Sequence, residues 1–415
     1  MSLFSLRPAT TLWPPVLLGS QFVFNIGFYA VVPFLAIFLR DDLMLSGGLI
    51  GLVLGLRTFS QQGMFIIGGA LSDRYGARVV ILCGCVVRVA GYLLLALGDS
   101  ITPIILGACL TGIGGALFSP SIEALLAKAG TQSEVKGKRS RAEWFALFAV
   151  CGELGAVLGP VAGALLTGLG FRQVALAGAG VFVVALIVLF FCLPPAQHSK
   201  QTLEIHPWWS TFRKPRFVAF IIAYSSWLLS YNQLYLALPV EIERAGGSEK
   251  DLGPLFMLAS VLIILFQLPL ARFARQVGAV RVLPAGFLLL SASFASVALF
   301  AAHPPPEGWL RLLPAGCFVT LLTCGQMLLV PSAKDLIPWF AKDSTLGAHY
   351  GALSTAGGCA VLAGNLLFGS QLDHALTPSP QAVFPWLQLA FFPLCSAVAL
   401  VFICRPMRVA LASRG

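Results

Sequence analysis

GGALSDRYGARVV, residues 68–80, sets one Asp, two Arg and three Gly between two long apolar runs, one arriving from Leu49 and the other departing toward Leu97. The surrounding chain explains why so compact a charged turn matters. Only 11% of the 415 residues are charged and 58% are hydrophobic, with a mean hydropathy of +0.87. Soluble domains carry about 25% charged residues, so lipid, not water, is the expected solvent for most of this chain. A bilayer core about 30 Å thick needs roughly 20 apolar residues per helix. That ruler gives twelve spans: 12–38, 48–71, 79–97, 101–127, 142–168, 172–193, 215–240, 252–273, 279–301, 309–332, 345–370 and 382–404. A membrane barrel would show short alternating segments instead. The start of the chain lacks the basic flank, short apolar run and small-residue cleavage site of a signal peptide, so the first helix is expected to stay in the mature protein.

Basic residues orient the spans. With the amino terminus inside, twenty of the 27 Lys and Arg fall on cytoplasmic segments and five on the opposite side, while Arg57 and Arg88 lie within spans. This is a positive-inside bias, and it places both termini in the cytoplasm. The net charge of +10 is then accounted for by basic loops facing anionic lipid, with no nucleic acid required.

The longest polar stretch, 194–216, falls near the middle of the chain. It divides the sequence into a six-helix half (1–193), a cytoplasmic linker (194–214) and a second six-helix half (215–415). The halves echo one another. SPSIEALLAKAG (119–130) parallels VPSAKDLIPWFA (330–341), aligning Pro120 with Pro331. RYGARVVIL (74–82) parallels QVGAVRVL (276–283), aligning Gly76 with Gly278, and each pair is separated by close to half the chain. Parallel halves are a transporter architecture with the substrate cavity near the midplane.

The opening stretch can now be read. Gly69, Leu71, Asp73, Arg74, Gly76 and Arg78 resemble the signature loop G-x-L-a-D-r-x-G-r-k of the major facilitator superfamily, between the second and third helices. The resemblance implies a gating loop that latches the cytoplasmic ends of the halves and biases alternating access. Physically, glycine permits a tight turn and close helix approach, and a carboxylate can satisfy open N–H groups at a neighbouring helix start. The second-half copy puts Arg275 where Asp73 stands, so one latch is expected. In the fifth span, GAVLGPVAGA (155–164) spaces Gly155, Gly159 and Gly163 four apart with Pro160 in register. This is a close-packing stripe with a kink point. It resembles the G-x-x-x-G-P-x-x-G-G motif of drug:proton antiporters, and LGLRTFSQQG with VRVAGY resembles the MdtH-type branch of multidrug exporters. One departure is Ala108, which stands where many such exporters carry an Arg in the fourth span.

Several residues stand out as candidates. Glu153 and Arg57 both lie near the midplane, where ionisable groups are costly and usually functional; they are read as a protonatable carboxylate with a cation tuning it. The alternative is a structural ion pair or two separate groups reaching for the interface. Arg88, also near midplane, is expected on a peripheral helix, snorkelling or packed on the latch helix. Glu123 is a candidate gate carboxylate near Arg139 and Arg141, or else a solvated helix end. Gln21, Asn25, Tyr231, Asn232, Gln233, Gln326 and Asn365 are the polar residues expected to face the cavity, with Phe24, Phe28, Tyr29, Trp227 and Tyr235 as its aromatic lining.

The expectation is a proton-coupled secondary transporter of the bacterial inner membrane, exporting a small organic molecule. A dedicated exporter of a secreted metabolite such as a siderophore, or a proton-coupled uptake symporter, would look much the same. No Gly-rich loop ending in Gly-Lys-Ser/Thr is present, so no nucleotide drives it. The ten Cys sit in apolar runs without metal-type pairing, and the five His are scattered, so no metal, cofactor or enzymatic activity is expected. The expected partners are the substrate, protons and membrane lipid, with the chain acting as a monomer.

Overall fold

The computed structural model describes residues 14–45, 47–167, 170–194, 208–247, 251–306, 308–341 and 345–412. Most of the linker and the basic residues Arg7, Lys200, Lys250, Lys342 and Arg414 lie outside them. The described chain is helical almost throughout and contains no strand. Its helices are α1 (Pro14–Tyr29), α2 (Val32–Asp41), α3 (Gly47–Gln62), α4 (Phe65–Tyr75), α5 (Ala77–Leu97), α6 (Ile101–Val135), α7 (Arg141–Thr167), α8 (Phe171–Cys192), α9 (Pro215–Arg244), α10 (Leu252–Val277), α11 (Ala279–Ala301), α12 (Leu313–Phe340), α13 (Leu346–Leu372) and α14 (Val383–Ala412).

Eight of these, α5–α8, α10–α12 and α14, are long and apolar enough to cross a bilayer. The other four expected spans differ for physical reasons. The stretch 12–38 is broken between α1 and α2, where a proline occupies the first turn of α2; proline lacks an N–H and its ring crowds the carbonyl four residues back. The chain bridges the break with tight three-residue bonds, Val31 N–H to Phe28 O at 3.2 Å and Phe34 N–H to Val31 O at 3.1 Å. The stretch 48–71 breaks at Gly63–Met64. There the Thr355 hydroxyl donates to Gln62 O and accepts the Ile66 N–H, both at 3.2 Å. A backbone gap in an apolar setting is thus closed by a side chain, as buried polar groups require. The remaining two, α9 and α13, are unbroken but interspersed with polar and small residues.

The chain forms two compact units, residues 1–211 with 337–355, and residues 212–336 with 356–415. The end of α12 and the start of α13 group with the first unit. Duplication is visible in the backbone itself. Gly76, between α4 and α5, has φ +88° and ψ 139°, and Gly278, between α10 and α11, has φ +91° and ψ 137°. That region favours glycine, so the same turn is written twice. The adjacent helix crossing is repeated too. A Cβ on Gly84 would fall 2.9 Å from Gly114 O, and one on Gly325 would fall 2.8 Å from Gly286 O.

Lipid tails are as apolar as leucine, so helices in a bilayer associate through packing and hydrogen bonds rather than hydrophobic exclusion. In the first unit Phe24 packs on Phe118 and Phe182, with ring centroids 4.2 and 5.2 Å apart, and the Tyr92 hydroxyl donates to Gly27 O at 3.2 Å. In the second, Phe294, Phe318 and Trp386 cluster, and the Ser226 and Ser396 hydroxyls meet at 2.6 Å.

Candidate functional site

The charged loop read as a gate is built from the end of α4, the turn at Gly76 and the start of α5. Asp73 Oδ1 accepts the Gly347 N–H at 2.9 Å, and Oδ2 accepts the Ala348 N–H at 2.8 Å. These are first-turn N–H groups of α13, which no helical carbonyl can satisfy, so one carboxylate caps two of them at the positive end of the helix dipole. Gly69, one turn back, is what lets the carboxylate reach: its Cα faces the Gly347 carbonyl so closely that a Cβ would overlap it. Gly351 makes the same kind of approach to Phe65 and Ile66. Arg78 donates to Phe190 O at 2.6 Å and lies over the Phe190 ring, tying α5 to the end of α8. Arg74 is exposed and rests over Tyr75.

Asp73 lies beyond the end of the 48–71 span. Burial pushes its carboxyl up to about 7, against the lowering pull of the Ala348 and Gly347 N–H groups and of Lys128. Released into water the same group would titrate at its ordinary value of 3.8. The clasped form therefore takes up a proton that the released form does not hold between these values. The contribution of Asp73 to the clasp is fully present below about pH 4 and is lost as the pH rises through about 7. In a background lacking the native cysteines, the thiol-labelling rate of Ala348→Cys, divided by that of a free thiol at the same pH because the thiolate is the reacting form, should rise from pH 6 to 8, and Asp73→Asn should flatten that ratio. A flat profile with Asp73 intact would remove the proton from the clasp.

The glycine stripe of α7 lies against α1. A Cβ on Gly155 would fall 2.6 Å from Phe22 O, one on Gly159 would fall 2.6 Å from the Tyr29 Cβ, and one on Gly163 would overlap Ala30 O. Pro160 sits inside the helix at this seam. Asn25 Nδ2 donates across it to Gly152 O at 2.8 Å, and Gln21 reaches the same glycine. Asn25 thus serves the helix contact itself. Glu153, half-buried, follows Gly152 directly. Glu123 is half-buried on α6.

Arg57 and Arg88 are placed otherwise than the sequence suggests. Arg57 donates to Gln61 Oε1 one turn along α3 and stacks over Phe28 at 4.3 Å. Among the described residues it makes no ion pair with Glu153 or any other carboxylate; Arg88 shares the Phe28 ring with it. Arg88 does not snorkel: it is 2% exposed, with its guanidinium within 6 Å of the rings of Phe28, Tyr92, Phe118 and Phe182. Helix α5 packs this face inward, so its arginine is enclosed where a peripheral helix would have released it.

In the second unit, Tyr224, Trp227, Tyr231 and Tyr235 form a continuous aromatic ladder along α9. Asn232 Nδ2 donates to Asn365 Oδ1 at 2.9 Å, joining α9 to α13. Gln233 is fully buried and donates to Leu229 O. The Oε1 atoms of Gln233 and Gln326 are buried acceptors without a hydrogen-bond partner among the described residues. The sequence pointed to neither Thr355 nor the Gly347–Ala348 start of α13. A lone hydroxyl in an apolar helix and a Leu-Gly-Ala helix start carry no signal until α4 is beside them. Among the described residues no group of His, Cys, Asp and Glu could hold a metal ion.

Known proteins show the same organisation. The sequence profile of the Major Facilitator Superfamily matches residues 17–365. An "uncharacterized MFS-type transporter" of Mycobacterium tuberculosis is 35% identical over 375 residues, covering 87% of this chain and 86% of the relative. The multidrug resistance protein MdtH of Aeromonas hydrophila is 28% identical over 378 residues, covering 91% of each chain. The crystal structure of the human organic anion transporter MFSD10 superposes with a TM-score of 0.74 at 18% identity, over 93% of this chain and 98% of that one; at that identity the likeness shows the fold alone.

Proposed function

The chain belongs to the major facilitator superfamily and is a multi-pass membrane transporter, and from that premise we propose that it exports an amphipathic organic molecule from the bacterial cytoplasm in exchange for protons. The observation that carries the exchange reading is the seam between α1 and α7. A half-buried carboxylate, Glu153, follows the glycine whose carbonyl accepts from Asn25, on the helix bearing the stripe Gly155, Gly159, Gly163 with Pro160. In the exchange proposed, Glu153 takes up and releases the proton as its access to water alternates. Asp73 and the first turn of α13 are the clasp whose closing and opening alternate the access. The multidrug resistance name of the MdtH relative favours drug-like cargo over a dedicated metabolite. We place the protein in the cytoplasmic membrane with both termini inside, as the basic loops suggest.

Everted vesicles energised to be acid inside test this. A ΔpH-sensitive dye should report substrate-induced proton release with the wild type and none with Glu153→Gln, across a panel of cationic, neutral and anionic drugs. Equal responses would take the proton away from Glu153. No response to any compound would put uptake ahead of export.

A further inference from the structure

We propose that Arg57 and Arg88 together form a seat for the anionic head of an organic carboxylate or sulfonate, with the aromatic wall around them receiving its apolar body. Two buried cations lack an anion among the described residues. Arg57 is 7% and Arg88 2% exposed, and among the described residues neither makes an ion pair with a carboxylate. The Nε of each is buried without a hydrogen-bond partner. A guanidinium cannot shed its proton to escape such a setting, so both stay charged, and each raises the cost of the other.

What surrounds them fits a ligand better than a structural bolt. Phe28 of α1 lies under both guanidinium groups, 4.3 Å from one and 5.2 Å from the other. Gln61 accepts from Arg57, which leaves its amide nitrogen as a further donor. That nitrogen and Arg88 Nη1 lie 3.2 and 3.1 Å from the point where a Cβ on Gly115 would stand. Donors on α3 and α5 thus converge on a glycine of α6, where no side chain competes for them. Cation–π contacts hold the guanidinium planes, but a ring face supplies no acceptor for an N–H fork. A planar carboxylate or a sulfonate does, through paired charge-assisted bonds. The transport reading enters only in calling this anion the cargo; the binding site stands or falls without it.

The test compares naphthalene-2-sulfonate with its uncharged counterpart, naphthalene-2-sulfonamide, by calorimetry on the full-length protein in phosphatidylcholine nanodiscs. Wild type should bind the sulfonate at least tenfold more tightly, and Arg57→Gln and Arg88→Gln should each erase that preference. Arg57→Lys, which keeps the charge but loses the fork, should retain part of it and guards against a variant that merely fails to fold. Gly115→Ala, which crowds the two donors while leaving both side chains in place, should weaken sulfonate more than sulfonamide. Equal affinity for the two probes in wild type would overturn the proposal, as would a preference surviving in both Gln variants. So would competition by chloride or by phosphatidylglycerol in the disc that vanishes in the Gln variants, since the seat would then belong to an inorganic ion or a lipid headgroup. Binding without proton-coupled flux in vesicles would instead count against the transport mechanism and leave the seat in place.

Discussion

Gly69→Val should lower transport at least a hundredfold while leaving the protein inserted in the membrane. The reason is backbone meeting backbone. A Cβ at this position runs into the Gly347 carbonyl, and neither partner has a side chain that could rotate away. The start of α13 must move off α4, and with it go both hydrogen bonds to Asp73 and those of Thr355 to Gln62 and Ile66. At pH 8, above the value of about 7 to which burial raises Asp73, the acceptor is ionised, and hydrogen bonds to a charged acceptor are worth about 1.5–3 kcal/mol each. Losing the Asp73 pair therefore shifts the clasp equilibrium by about 3 kcal/mol or more, roughly 150-fold. Two measurements check this: flux in everted vesicles, and thiol labelling of Ala348→Cys, whose rate relative to a free thiol at the same pH should become high and independent of pH. Ile67→Ala, on the exposed face of the same helix, should leave both near wild type. Normal flux in Gly69→Val would mean that this contact is not part of the working cycle.

The clasp also shows what could be read from the sequence. Asp73, Gly69 and Gly76 were legible because their chemistry is local: a carboxylate near a helix end, a glycine where φ must be positive, a glycine where a helix must come close. The repeat was legible for the same reason, since Gly76 and Gly278 answer to the same backbone demand. The partners on α13 were not, because an N–H is present in nearly every residue and only proximity selects two of them. Composition gave the helices but not their interruptions at Ala30–Val31 and Gly63–Met64, where turn chemistry in an apolar run competes with a length rule that counts only hydrophobicity. The enclosure of Arg88 is not legible, and the reason is its helix. A residue's depth follows from counting along the chain, but which face it occupies depends on what packs there, and α5 turns this face toward Phe118 and Phe182.

Arg88→Met should make the protein more stable and yet abolish its preference for the anionic probe. An arginine near the bilayer centre costs at least about 2.5 kcal/mol, and its contacts with surrounding rings return about 2 kcal/mol when desolvated. That near balance is upset by Arg57, a second buried cation for which no carboxylate compensates among the described residues. Methionine has a similar unbranched reach, adds a sulfur–aromatic attraction of about 0.3–1.5 kcal/mol and removes the repulsion. The net gain expected is about 1–2 kcal/mol, a rise in Tm of about 5 °C at the sensitivity of domains this size. A structural arginine would behave in the opposite way, its removal leaving a cavity among four rings and a lower Tm. Thermal unfolding of the purified variant, measured with and without naphthalene-2-sulfonate, separates the two. Higher intrinsic stability with no stabilisation by the sulfonate marks a residue kept for binding at the expense of stability, the usual cost of a functional site. A Tm lowered by several degrees, with ligand stabilisation intact, would make Arg88 part of the packing and return the anion seat to Arg57 alone.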